Sequence, residues 1–134
     1  MENTNISTIK VSSLKKLAPI YSNQVKHFCK LSARLYGKLA LREQLTIEGP
    51  KTIQQVEEDC AELQKEIVQL ANSCRVSIRR LNQMAVSRDI PRPLFGVDDM
   101  GLSDFIAAIN EYVSRLVAES DFRSWELENQ SANC

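Results

Sequence analysis

Four cysteines, Cys29, Cys60, Cys74 and Cys134, are the first candidates for chemistry in this chain of 134 residues. A disulfide framework is one option, but three of them fall inside helical patterns and the fourth is the last residue, so we expect reduced thiols. Zinc sites favour close pairs such as Cys-x-x-Cys, whereas the nearest pair here is 14 residues apart and only one histidine is present. We expect neither a metal site nor a cofactor.

His27, the single histidine, is followed three residues later by Lys30. Histidine phosphotransfer bundles display the same pair, in which the cation stabilises the phosphohistidine. Those bundles carry a small residue, normally glycine, after the lysine, and Leu31 stands there here. An ordinary half-exposed helix histidine is the simpler interpretation, so phosphotransfer through His27 is an alternative function.

Signatures of other enzymes do not occur in the sequence. There is no Gly-x-Ser-x-Gly and no His-Glu-x-x-His, and the pair Gly37-Lys38 lacks the upstream glycine of a phosphate-binding loop. The acidic run from Glu57 to Asp59 starts a predicted helix, where the helix dipole explains it. We predict a protein that is not an enzyme and has no small-molecule substrate.

The charges give no overall attraction to nucleic acid or membranes, because 17 Lys and Arg balance 17 Asp and Glu. A local basic stripe has no interleaved aromatics, so helix-end electrostatics is favoured over nucleic-acid binding. The stripe consists of Arg75, Arg79, Arg80 and Arg88. Apolar runs are too short to span a bilayer, and the N-terminus lacks the features of a secretory signal. We expect a nuclear or cytoplasmic protein with protein partners, no membrane contact and little affinity for nucleic acid.

Glycine and proline, four of each, divide the chain into three helical segments, 19–46, 52–87 and 103–128. Apolar residues recur at spacings of three and four in all three, and the pattern of the second runs over more than four heptads. That seam is Ile53, Val56, Cys60, Leu63, Ile67, Leu70, Cys74, Ile78, Leu81 and Met84 or Ala85. The remaining parts are a flexible or short helical N-terminus, a linker and a flexible tail, over 1–18, 88–102 and 129–134.

These segments predict one all-α domain over residues 1–134. About five residues around Gly49-Pro50 join the two longest helices, which should fold into a long antiparallel hairpin. The third helix is expected to cover the open side and give a three-helix, coiled-coil-like bundle. A helix from a partner could complete a four-helix arrangement.

The linker places two prolines before two large apolar residues, from Pro91 to Phe95. Prolines hold such a segment extended, so ordering it costs little entropy. Leu94 and Phe95 either plug the end of the bundle or form a docking ridge for a partner. Trp125, late in the last helix, is either a bundle cap or an interface anchor.

Three features occur in order from Cys60 onward: Cys60-x-x-Leu-x-Lys-Glu66, then Pro91-Arg-Pro-Leu-Phe95, then Phe105 with Tyr112. Over about half of the chain, this order resembles the cyclin-dependent kinase 2-interacting protein family. The chain departs from that family by the arginine between the prolines, by lacking a tryptophan-rich linker segment, and by ending where the family continues. The resemblance implies a helical hairpin in a nuclear, non-catalytic adaptor. It also implies association with replication or checkpoint kinases and with an AAA-ATPase assembly acting in ribosome maturation.

We therefore expect a non-enzymatic helical adaptor or subunit of a larger assembly, whose partners are helical subunits of a complex. Subunits of kinetochore and vesicle-tethering complexes fit the periodicity as well. The residues predicted to contact a partner are Pro93, Leu94, Phe95, Tyr112 and Trp125.

Overall fold

A computed structural model of the protein describes the backbone of residues 8–47 and 53–132, and the side chains among them except those at 46, 47, 53, 56 and 120–132. These ranges form four helices: α1 (Val11–Leu17), α2 (Ser22–Ile47), α3 (Ile53–Ser87) and α4 (Leu102–Ala132). The described residues contain no strand, and the predicted all-α class is confirmed. The predicted turn at Gly49-Pro50 lies outside the described residues.

The consecutive helices α2 and α3 lie side by side and run in opposite directions. Arg88, just past the end of α3, donates from Nε to the hydroxyl of Tyr21 at the start of α2, at 3.2 Å. Further along, Lys38 Nζ lies 3.5 Å from Glu66 Oε1. Residue numbers therefore rise along α2 while they fall along α3.

An apolar core fills the space between these helices, as their spacing of three and four requires. Its buried members are Val25, Phe28, Leu31 and Leu35 from α2, with Leu63, Ile67, Ala71, Cys74, Ile78, Leu81 and Ala85 from α3. The predicted α3 seam is thus confirmed at six positions, whereas Cys60, Leu70 and Met84 are half-buried. Its first two residues, Ile53 and Val56, lie outside the described side chains.

For residues 1–18 the sequence predicts a flexible or short helical segment. Its described part, from residue 8 onward, contains the short helix α1, and residues 1–7 lie outside the described residues. Leu14 and Leu17 of α1 are buried, and so is Ile9 just before it. These three side chains extend the core beyond α2 and α3.

A proline separates α1 from α2. Pro19 has no N–H to continue the helix, and the carbonyl of Leu17 accepts hydrogen bonds from Ile20 and Tyr21 at 3.0 and 2.7 Å. The prediction that α2 starts at Pro19 is wrong: the chain turns there and the helix begins at Ser22.

The last helix, α4, covers one side of the α2–α3 pair. Its buried face is Phe105, Ala108, Ile109, Tyr112 and Val113. The ring of Tyr112 stacks on Phe28 of α2 with centroids 5.8 Å apart. The helical backbone continues to Ala132, past the predicted end at 128.

Asp89 ends α3 in a Schellman motif. Its φ of 61° is left-handed, and this turns the chain so that two amides reach back to the last helical turn. Ile90 N donates to Ala85 O at 2.8 Å, and Asp89 N donates to Val86 O at 3.2 Å. Both carbonyls are therefore satisfied, in the position where glycine is the usual residue.

Replacing Asp89 by glycine should stabilise the fold, because the left-handed conformation costs an L-residue about 1 kcal/mol and costs glycine nothing. We expect Asp89→Gly to raise the free energy of unfolding by about 1 kcal/mol in urea titrations. Asp99→Gly is the control, since Asp99 does not have a positive φ. A stability equal to or below that of the unmodified chain would contradict this description of the α3 end.

One buried asparagine holds the linker against the bundle. Asn82 on α3 is 8% exposed. Its Nδ2 donates to the carbonyl of Leu94 at 2.9 Å, and its Oδ1 accepts from the amide of Leu94 at 3.1 Å. On the N-terminal side, the amide of Lys10 donates to the carbonyl of Pro93 at 2.8 Å. The linker backbone is thus fixed by hydrogen bonds from two different parts of the chain.

Removing the side-chain amide of Asn82 should destabilise the fold, because the backbone N–H and C=O of Leu94 would stay buried without partners. We expect Asn82→Leu to lower the free energy of unfolding by about 2 to 4 kcal/mol, measured by urea titration followed by circular dichroism. Gln83→Leu, at an exposed neighbouring position, should change it by less than about 0.5 kcal/mol. Equal effects of the two substitutions would show that the Asn82 hydrogen bonds do not stabilise the fold.

Candidate interaction surface at the linker

Leu94 and Phe95, adjacent apolar residues that the sequence pattern groups together, lie in different environments. Leu94 is fully buried, with 0% of its surface exposed, whereas Phe95 is 68% exposed. Pro93 is buried beside Leu94. Neither alternative for the pair is therefore correct as predicted: Leu94 plugs the bundle, and Phe95 projects into solvent.

Three side chains surround the exposed ring, and we name Val86, Arg92 and Phe95 the linker ridge. The guanidinium of Arg92 lies 5.6 Å from the centroid of the Phe95 ring, in range for a cation–π interaction. Val86, at the end of α3, is exposed and lines the same surface groove as Arg92 and Phe95. The ridge thus combines apolar area with one cation on a single face.

A tight turn follows the ridge. Gly96 has a φ of 78°, which a side-chain-bearing residue rarely adopts, and its carbonyl accepts from the amide of Asp99 at 3.0 Å. Val97 is buried immediately afterwards. The turn therefore anchors the ridge on its C-terminal side.

Arginines of α3 hold the rest of the linker and the start of α4. Arg79 forms an ion pair with Asp98. Arg75 donates from Nη1 to the carbonyl of Met100 at 3.1 Å, and its guanidinium lies 5.1 Å from the centroid of the Phe105 ring. These arginines make contacts within the chain, so the predicted basic stripe is not one free surface.

Arg88, just after α3, and Tyr21, just before α2, make a similar contact. The guanidinium of Arg88 lies 5.7 Å from the centroid of the Tyr21 ring, in addition to the hydrogen bond to the phenol oxygen. That hydrogen bond lowers the pKa of Tyr21.

Tyr112 contributes to the core and is not on the linker surface. Its hydroxyl lies 3.4 Å from Cys29 Sγ, and burial raises the pKa of this phenol. Cys74 is also buried, and burial raises the pKa of its thiol to about 11. Trp125, the fifth predicted contact residue, lies outside the described side chains. Phe95 is therefore the one predicted contact residue whose described side chain reaches solvent.

The predicted phosphotransfer residue lies on the surface of α2. His27 and Lys30 are both exposed, while Leu31 turns into the core. Within the described ranges, no group of three His, Cys, Asp or Glu side chains is placed to hold a metal ion. No helix in the same ranges is long and apolar enough to cross a membrane.

Comparison with models of known protein families, with curated proteins and with solved structures finds no match to this chain.

Sequence reasoning missed the residues that fix the linker. Asn82 is polar and stands next to the seam, so its burial had no signal in a hydrophobic pattern. Arg92 interrupts the proline pair and departs from the family motif, and no local pattern indicates that its guanidinium lies over the Phe95 ring. The different exposures of Leu94 and Phe95 had no such signal either, because the chain bends at Pro93 and Leu94 and turns from Phe95 onward, whereas the prolines predict an extended segment.

Truncating the two neighbours should reduce stability to very different extents. Leu94→Ala empties a buried position and should cost about 2 to 5 kcal/mol of unfolding free energy, whereas Phe95→Ala should cost less than about 1 kcal/mol. Thermal unfolding of the two variants, followed by circular dichroism, measures the difference. A large loss of stability in Phe95→Ala would mean that its ring packs against the bundle.

Proposed function

We propose that the chain is a non-enzymatic helical adaptor, a subunit of a larger assembly, and that the linker ridge contacts a protein partner. The observation that carries the proposal is Phe95, a large apolar ring 68% exposed on a segment whose backbone is fixed. The hydrogen bonds of Asn82 to Leu94 and of Lys10 to Pro93 fix it.

A fixed ring is a favourable binding group for a physical reason. Binding a mobile segment costs the free energy of ordering it, whereas here the fold has already ordered the backbone on both sides of Phe95. Arginine and aromatic side chains also dominate the energetics of many protein interfaces. Arg92 and Phe95 offer both types together, and Val86 adds apolar area next to them.

The resemblance to the cyclin-dependent kinase 2-interacting protein family supports a nuclear setting. Its most specific element, Pro91-Arg-Pro-Leu-Phe95, is the segment that carries the ridge. We propose partners among replication or checkpoint kinases, or in an AAA-ATPase assembly of ribosome maturation. Helical subunits of kinetochore or vesicle-tethering complexes are the alternative partners.

Affinity purification of the tagged chain from its native cells tests the proposal. We expect Phe95→Ala to lower partner recovery by about 30-fold, which corresponds to a loss of about 2 kcal/mol at a central interface residue. Val117→Ala is the matched control, since Val117 is an exposed apolar residue of α4 away from the linker. Recovery of the chain alone as a monomer, or equal recovery of partners with both variants, would contradict the proposal. The identity of the recovered partners then decides between the kinase or AAA-ATPase assemblies and the kinetochore or vesicle-tethering complexes.

Phosphotransfer through His27 is the second candidate, and one observation favours it. Since Leu31 turns into the core, it does not cover the imidazole, and Lys30 lies exposed three residues away. Incubation with phosphoramidate should then give acid-labile phosphate on the chain that is lost in His27→Asn. Failure to label the unmodified chain would exclude this function.

A further inference from the structure

A second uncovered surface runs along α2 and α3. Two neighbouring depressions meet at Ser73 of α3, which lines both. One extends to Gln24 and Arg80, and the other to Leu41 and Glu66. Leu41 follows Gln24 by 17 positions, which corresponds to about 25 Å of helix, or almost five turns. We name this continuous surface the α2–α3 groove.

The groove lies on the side opposite α4. On α2, the residues that face α4, such as Cys29 and Tyr36, are on the other side of the helix from the groove residues Arg34 and Leu41. No described helix covers the groove. In a four-helix bundle built on α2, α3 and α4, the remaining helix would occupy this position.

Apolar side chains lie along the groove where water now reaches them. Leu41 is 41% and Val76 is 54% exposed. Between them Leu70 is half-buried, and Leu31 lies beneath the groove as a buried core residue. Leu41 and Val76 are two of the six large hydrophobic residues that are exposed in the described part of the chain. The groove therefore presents a few apolar side chains within a mostly polar and charged lining, and a partner could bury them.

Its charge is positive. From Thr8 to Arg42 the chain carries eight Lys and Arg residues and no Asp or Glu, an asymmetry that the zero net charge conceals. In the groove, Arg34 and Arg80 are exposed and form no ion pair with a described residue. The carboxylate of the lining, Glu66, is already paired with Lys38 at 3.5 Å. An occupant would need to supply negative charge on both sides of an apolar face.

We propose that the α2–α3 groove binds an amphipathic helix of a partner protein whose apolar face is flanked by acidic residues. The length of the groove and its two helical walls fit a packed helix. Single-stranded nucleic-acid binding usually relies on several exposed aromatic rings for stacking, and the lining contains no Phe, Tyr or Trp. In a symmetric dimer the same positively charged groove would face its own copy, which supplies no additional acidic residues for Arg34 and Arg80. This surface is separate from the linker ridge, so either proposal can fail alone.

Gly37 provides a pair of test variants. A Cβ added there would meet no atom within 4 Å, and Gly37 lines the groove. Both Gly37→Ala and Gly37→Leu should raise the melting temperature, because both replace glycine in a helix with a better helix former. Only the leucine would fill the groove. A loss of binding in Gly37→Leu alone is therefore not a loss of folding.

The experiment places the photocrosslinker p-benzoylphenylalanine at Gln69, an exposed groove residue, in the full chain expressed in its native cells. A second chain carries it at Ala118, an exposed position of α4, as the control. After irradiation, mass spectrometry identifies the crosslinked segment.

We expect the Gln69 position to crosslink to a segment with apolar residues three and four apart, flanked by Asp and Glu. The yield should fall at least tenfold with Gly37→Leu and with the double change Arg34→Glu and Arg80→Glu. It should persist with Gly37→Ala and with Phe95→Ala. Crosslinking to a second copy of this chain, to nucleic acid, to a segment without acidic residues, or to nothing would overturn the proposal.

Discussion

The arrangement of the linker depends on two hydrogen bonds made by one buried side chain. Asn82 donates to and accepts from the backbone of Leu94, so that the linker can cross the apolar core without leaving a polar group unsatisfied. Leu94 enters the core because its backbone is satisfied there, and Phe95 consequently faces away. The start of α1 relies on the same segment, since Lys10 donates to Pro93. Asn82 thus ties the linker to α3, and the backbone bond from Lys10 ties the residue before α1 to the same linker.

This constraint links the fold to the proposed function. An exposed phenylalanine on a mobile loop would collapse onto the nearest apolar surface or pay an entropic cost on binding. Here the fixed backbone holds the ring in solvent, with Arg92 over one side of it. The ion pair of Arg79 with Asp98 and the turn at Gly96 stabilise the segment that follows. Interactions in the core and along the linker therefore hold the linker ridge in one exposed position.

The helices and their buried faces were predictable from the sequence because they depend on local periodicity. The α3 seam from Leu63 to Ala85 was found because burial of a helix face repeats every three to four residues. The linker needed contacts between residues far apart in the chain, such as Lys10 with Pro93, which no local pattern encodes. Asn82 was missed for a related reason: its polar side chain reads as a surface residue until its partner twelve positions later folds back onto it. Tyr112 was predicted as a contact residue, but it packs on Phe28 in the core.

Amide hydrogen exchange at Leu94 tests the central claim most directly. Its N–H is bonded to a buried side chain, so we expect it to exchange only through global unfolding, as slowly as the amides in the middle of α3. The amide of Lys10 should be protected with it. If both amides exchange at the rate of an unstructured peptide while α3 stays protected, the linker is not held against the bundle, and the account of the linker ridge is wrong.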